Sequence, residues 1–209
     1  MFSRCRSLAP RSGLATITLS LLLTGLLVAC GDRSPDAGLI RAPEFSDDSG
    51  RLARPWRFAH HATTDSYRLE IRDGIATIER TGPEPWSQLV QPVPPEQLDS
   101  LAGRRLAFSM DIRARLENET FGPPLEPTAL TVRMWNKPAA ASAGALGAML
   151  GSRQAESERL ALPHDAQISD WRRVTLEFTV PEDIARMEVA AIMASGGRLE
   201  LRNPALHPL

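Results

Sequence analysis

A period of two runs through most of this chain and limits what it can fold into. "YRLEIR" (67–72) alternates Tyr67, Leu69 and Ile71 with Arg68, Glu70 and Arg72, and "IATIER" (75–80) follows after only Asp73-Gly74. Successive side chains of a strand point to opposite faces, so such a run buries one face and wets the other. Asp-Gly between two of them predicts a type I′ hairpin, because both central residues need positive φ. The alternation recurs in "RRLAFSMDIRARL" (104–116), "ALTVRMW" (129–135), "WRRVTLEFTV" (171–180) and "RMEVAAIMA" (186–194). Shorter runs stand at "WSQLVQPV" (86–93), "ERLAL" (158–162) and "RLELRNPAL" (198–206). About nine antiparallel strands between turns, with no amphipathic helix of ordinary length, predict an all-β sandwich or barrel.

The alternation starts near residue 56, and what precedes it is of another kind. Arg4, Arg6 and Arg11 lead into an almost wholly apolar or small run, Gly13 to Val28. At about 16 residues it is shorter than the ~20 needed to span a bilayer, and it reads as a secretory signal. It ends in Leu27-Val28-Ala29-Cys30, which resembles the bacterial lipobox. The resemblance implies that residues 1–29 are a signal peptide removed in the mature chain. It also implies that Cys30 becomes a thioether-linked, N-acylated (palmitate-type) membrane anchor. Several acyl chains hold firmly, at about 0.8 kcal/mol per buried methylene. Gly31 follows the cysteine and Asp32 comes one later. By resemblance to enteric sorting rules, this favours the outer over the inner membrane.

Three further expectations follow from this reading. Cys5 leaves with the signal, so the mature chain has neither a disulfide nor a thiolate metal site. Removing three arginines and no acids takes the formal charge from −1 to −4, which argues against nucleic acid as a partner. Residues 30–54 carry Pro35, Pro43 and the Asp47-Asp48-Ser49-Gly50 cluster without periodicity. They are expected to be a flexible tether, with the sandwich over 55–209. Inside that domain "PAAASAGALGAMLGSRQAE" (138–156) lacks the period and reads as an Ala/Gly-rich loop insertion. Its alternatives are a lid, or a contact with membrane or partner.

Three stretches in order carry a resemblance. They are "WSQLVQPVPPEQLDSLAGRRLAFSMDIRA", "ISDWRRVTLEFTVPEDIARMEVAAI" and "SGGRLELRNPAL". Trp86 to Gln91, the Leu101-Ala102-Gly103 step and Trp171 opening a valine-bearing strand resemble galactose-binding-like jelly rolls, in particular carbohydrate-binding modules of families 4 and 9. The resemblance implies a jelly-roll β-sandwich over residues 56–209 and a carbohydrate ligand on its concave sheet. Arg202-Asn203-Pro204 stands where that family usually ends near an aspartate that helps hold a structural calcium. This departure counts against calcium, and no cofactor is expected. A jelly roll hosts many tasks, so the fold leaves the function open.

Sugar recognition uses flat aromatic faces and planar polar groups that pair with vicinal hydroxyls. If Leu130, Val132 and Met134 face the core, Arg133 and Trp135 face outward; by the same rule Asp111 and Arg113 face outward from their strand. With Trp86 at a strand start, these five are the candidate ligand residues, on the condition that their strands share the concave sheet. In the alternative, Trp135 caps an edge and the arginines make surface ion pairs with Glu177 or Glu188. Gln91, in phase with Leu89 and Val93, is expected to be a buried structural amide, and Trp171 a core or edge residue. Adjacent His60 and His61 point apart on a strand and chelate poorly, so no metal site is expected. No Gly-x-Ser-x-Gly elbow, P-loop or dinucleotide motif occurs. Two paired carboxylates among Asp111, Glu177 and Glu188 are the one arrangement that would suit a glycan hydrolase. The reading is therefore a lipid-anchored, non-catalytic envelope protein that binds carbohydrate. The first alternative is an assembly lipoprotein that binds another envelope protein, and the weaker one is a hydrolase.

Overall fold

The computed structural model describes residues 38–62, 65–118, 126–138 and 154–209, without the side chains of 154–156. The signal segment 1–29, Cys30, the start of the tether and nearly all of the 138–156 insertion lie outside the described residues.

Among the described residues, ten strands and one short helix follow in order: β1 (Arg57–His60), β2 (Tyr67–Arg72), β3 (Ile75–Arg80), β4 (Ser87–Pro92), α1 (Pro95–Leu101), β5 (Arg105–Glu117), β6 (Ala129–Asn136), β7 (Gln154–Ala161), β8 (Gln167–Thr179), β9 (Ile184–Met193) and β10 (Gly196–Pro208). They pair antiparallel in two five-stranded sheets, ordered β1-β4-β9-β6-β7 and β2-β3-β10-β5-β8. The β2–β3 hairpin turns at Asp73 and Gly74 with φ of 51° and 73°, as the Asp-Gly pair predicts.

The core lies between the sheets, and alternation decides who enters it. Leu106, Phe108, Met110 and Ile112 of β5 pack with Leu199 and Leu201 of β10 from one side. Leu130, Val132 and Met134 of β6 and Met187, Val189, Ala191 and Met193 of β9 come from the other. Burying a side chain of this size contributes about 1.5–3 kcal/mol, which explains why the phase of each run is held so strictly. Pro204 is accommodated in β10 because the β10–β5 register shifts between Arg202 and Ala205, a bulge with Asn203 at φ 51°.

The expected tether boundary at residue 54 is corrected. Residues 38–56 wrap onto the sandwich, with Ala53 buried and Ile40, Phe45 and Trp56 packed in its core. The Phe45 and Trp56 rings meet at 5.0 Å, and Trp56 Nε1 donates to the Ala42 carbonyl (2.9 Å). The acidic cluster is a built turn: Asp47 Oδ1 accepts from the Ser49 amide and hydroxyl and from the Arg51 amide. The segment holds itself through local turns and lacks the ladder of a strand, so no period marks it in the sequence.

Candidate functional site

The outer face of the β1-β4-β9-β6-β7 sheet carries two concavities. Register places Pro92, Glu188, Arg133 and Ser157 in one row across β4, β9, β6 and β7. Val90, Ala190, Thr131 and Arg159 form the next row, and Gln88 and Ile192 the one after. Val90, Ala190 and Thr131 face away from the core and are still buried. Small side chains therefore make a floor that longer neighbours shelter.

Glu188 sits on that floor, 4% exposed, and gathers three arginines. Arg57 Nη2 and Arg186 Nη2 both donate to its Oε1, at 3.0 and 2.7 Å. Arg133 Nη2 lies 3.3 Å from its Oε2 and donates to Gln88 Oε1 at 2.8 Å. A buried carboxylate needs such partners, since losing them leaves an uncompensated charge out of water. The Arg57 and Arg186 side chains remain 60% and 55% exposed. Arg186 also lies over the Trp135 ring, 4.2 Å from its centroid.

Two cavities flank this cluster. The larger, about 800 Å³, is lined by Arg54, Arg57, Arg186 and Glu188 on its polar side and by Trp56, Pro92 and Leu98 among its apolar walls. The smaller, about 230 Å³, is lined by Trp86, Gln88, Thr131, Arg133, Arg159 and Ile192 among others. Glu188 of the larger and Arg133 of the smaller form the ion pair between them. Trp86 packs edge-on to His61 at 5.9 Å, and Arg159 pairs with Glu126.

The five sequence-derived candidates do not form one floor. Trp86, Arg133 and Trp135 share the face just described. Asp111 and Arg113 are carried by β5 in the other sheet and point from the opposite side of the sandwich. Alternation tells which way a side chain points relative to the core, but it does not tell which sheet its strand joins. On that second face Asp111 accepts from Arg173 Nη1 (3.0 Å) and Asn203 Nδ2 (2.8 Å). Arg113 pairs with Glu200, which Arg198 also reaches at 3.1 Å. The guanidiniums of Arg113 and Arg202 lie over the Trp171 ring, 4.9 and 4.2 Å from its centroid, and Trp171 is an edge residue and not a core one. Burial pushes the Asp111 carboxyl up, but the hydrogen bonds from Asn203 and Arg173 and the charges of Arg173 and Arg202 outweigh it and hold it low. The Arg113 hydrogen bond does the same for Glu200 against burial, with Arg198 assisting.

Gln91 is structural, as its phase suggested: its Nε2 donates to the Arg41 carbonyl and its Oε1 accepts from the Arg41 amide. The site residues missed from sequence are Arg57, Arg186 and Gln88. Their outward phase was legible, but what brings them together is the pairing of β1, β4 and β9, which lie far apart in the chain. Of the carboxylates weighed for hydrolysis, Glu188 lies on one outer face, whereas Asp111 and Glu177 belong to the other sheet, where Glu177 pairs with Arg105.

No family model and no curated protein matches the chain. Solved structures match in fold. The enzymatically active domain of tailspike protein 4 from bacteriophage CBA120 aligns with a TM-score of 0.54 at 12% identity, over 82% of this chain and 21% of that one. A protein described as sugar binding from Bacteroides thetaiotaomicron aligns at 0.49 and 12% identity, over 82% of this chain and all of the other. A family 4 carbohydrate-binding module aligns at 0.43 and 15% identity, over 74% and 86%. The chain thus spans about a fifth of the tailspike domain's length. At these identities the likeness is one of fold: the two packed antiparallel sheets are the β-sandwich that the strand pattern predicts, of the jelly-roll class that the sequence resemblance implies.

Proposed function

We propose that this protein binds carbohydrate on the outer face of the β1-β4-β9-β6-β7 sheet, without catalysis, while Cys30 holds it to the envelope membrane through lipid. The observation that carries the reading is the pair of cavities around Glu188, lined by planar guanidinium and amide groups with Trp86 and Trp135 on the same face. Planar donors suit vicinal hydroxyls, and a trough of this size suits a saccharide. The carboxylates weighed for hydrolysis do not share one cleft: Asp111 and Glu177 stand across the sandwich from Glu188, whereas a glycosidase sets its carboxylates about 5–9.5 Å apart across one cleft.

The test is a glycan-array screen of the full-length chain in detergent micelles, followed by tryptophan-fluorescence titration of each hit. Saturable binding weakened by about tenfold in Arg133→Ala and in Trp135→Ala is the expected result, about 1.4 kcal/mol each. A folded protein that binds no glycan overturns the reading and favours a protein partner; release of new reducing ends overturns its non-catalytic part. For the anchor, labelled palmitate is expected to enter the wild-type protein in bacteria and not Cys30→Ala. Equal labelling would remove Cys30 from that role.

A further inference from the structure

The larger cavity is walled by guanidinium groups, and that says more about its ligand than its shape does. Arg54, Arg57 and Arg186 line it with Glu188 as the single acid. Arg133 and Arg159 line the adjoining cavity with Glu126. Five arginines therefore face two glutamates, in a chain whose formal charge is −1. Glu188 balances one positive charge, yet Arg57, Arg186 and Arg133 all converge on it. Its carboxylate fixes the three forks in place and leaves two charges uncompensated. Arg54 adds a fourth guanidinium with no partner among the described residues. Arg133 Nε is buried without an acceptor among those residues.

Gathering like charges is unfavourable unless an anion joins them, and Arg57 and Arg186, each tied to Glu188 through one nitrogen, keep further N–H groups on exposed side chains to take one. A guanidinium presents two parallel N–H groups that match a carboxylate, a geometry an ammonium cannot supply. A neutral sugar would leave this charge unused. The indole of Trp135 is already covered by Arg186, so the face offers less of a bare stacking surface than an arginine-rich one.

We infer that the ligand of this face is an acidic saccharide, and that the carboxylate of a uronic acid residue is received by Arg54, Arg57 and Arg186 in the larger cavity. This rests on the carbohydrate reading above and narrows it. Isothermal titration of the full-length chain in detergent micelles tests it. The probes are oligomers of galacturonate, glucuronate and mannuronate, each beside its carboxyl-reduced neutral counterpart.

At least one acidic oligomer is expected to bind about tenfold or more tighter than its reduced counterpart, with the gap narrowing as salt rises. Arg54→Ala, at an exposed residue without a partner, and Arg57→Lys, which keeps the charge but loses the fork, are each expected to weaken the acidic oligomer severalfold. The neutral oligomer, which takes only hydroxyl contacts from these groups, is expected to lose less than the acidic one. Arg113→Ala, on the opposite face, is expected to change neither. Equal affinity for acidic and neutral oligomers overturns the inference and leaves carbohydrate binding standing. An equal loss in Arg113→Ala overturns it as general attraction of polyanions to a basic surface. No binding of any oligomer, alongside a blank glycan array, overturns both.

Discussion

Tyr67 is the only tyrosine of the chain, and it sits where β2 begins, with its hydroxyl donating to the Glu84 carbonyl at 3.1 Å. Burial raises its pKa to about 12, with the nearby Arg80 pulling down and Glu84 pushing up. An unfolded tyrosine titrates near about 10. The folded state therefore keeps a proton that the unfolded state gives up. The stability tied to this group is full below pH 10 and is lost as pH rises from 10 to 12. Absorbance of tyrosinate in the ultraviolet reads this one residue, and a midpoint near 12 in the folded protein is expected; a midpoint at 10 would place the ring in water. Its neighbour Arg80 shows where a residue's environment escapes the sequence. Arg80 is in phase with Ile78 on the buried face of β3, a position that pattern alone denies to a charge. It is accommodated because the carbonyls of Gly82, Pro83 and Ala194 converge on its guanidinium. Glu188 is the same lesson on the outer face. Alternation sends it outward, and only the trough keeps it 4% exposed.

At the scale of elements, β2 to β10 were legible, whereas β1 and the segment before it were not. Period two fixes each strand's phase, and the Asp-Gly turn fixes one hairpin, because both signals are local. Sheet membership is not local: β5 and β6 are consecutive strands with the same pattern, yet they join different sheets, which is why the candidate residues of the two part company. The wrap of residues 38–56 has no repeat to read, and its anchor Phe45 adopts φ 60°, a left-handed conformation that bulky residues avoid. Such a conformation costs about 1–2 kcal/mol and persists only where packing outweighs it. Phe45 is fully buried against Trp56, which supplies that packing. Phe45→Ala keeps the strained backbone and removes the ring, so a loss of about 3–5 kcal/mol in urea-unfolding stability is expected. A change within about 0.5 kcal/mol, as at an exposed site, would return this segment to the status of a tether.

The molecule as a whole presents two outer faces with one core between them, and both carry more arginines than acids. They differ in what the carboxylates do. On the β2-β3-β10-β5-β8 sheet, Asp111 and Glu200 are held below the ordinary carboxylate values of 3.8 and 4.5 by their arginines and by Asn203. Carboxylates with depressed values stabilise the fold at any pH above those ordinary values. That contribution drains away as pH falls through the lower, folded ones. Acid sensitivity therefore falls on this face, together with the turn at Asp47, whose carboxyl the Ser49 and Arg51 hydrogen bonds also hold low. In Asp111→Asn combined with Glu200→Gln, urea unfolding is expected to show lower stability at pH 7 and a shallower decline below pH 4.5 than in the wild type. Effects at sites without shared partners add, so the same double variant should bind glycan at pH 7 as the wild type does. A parallel loss of glycan affinity would mean that the two faces are coupled through the core, and an unchanged acid decline would move the sensitivity to other carboxylates.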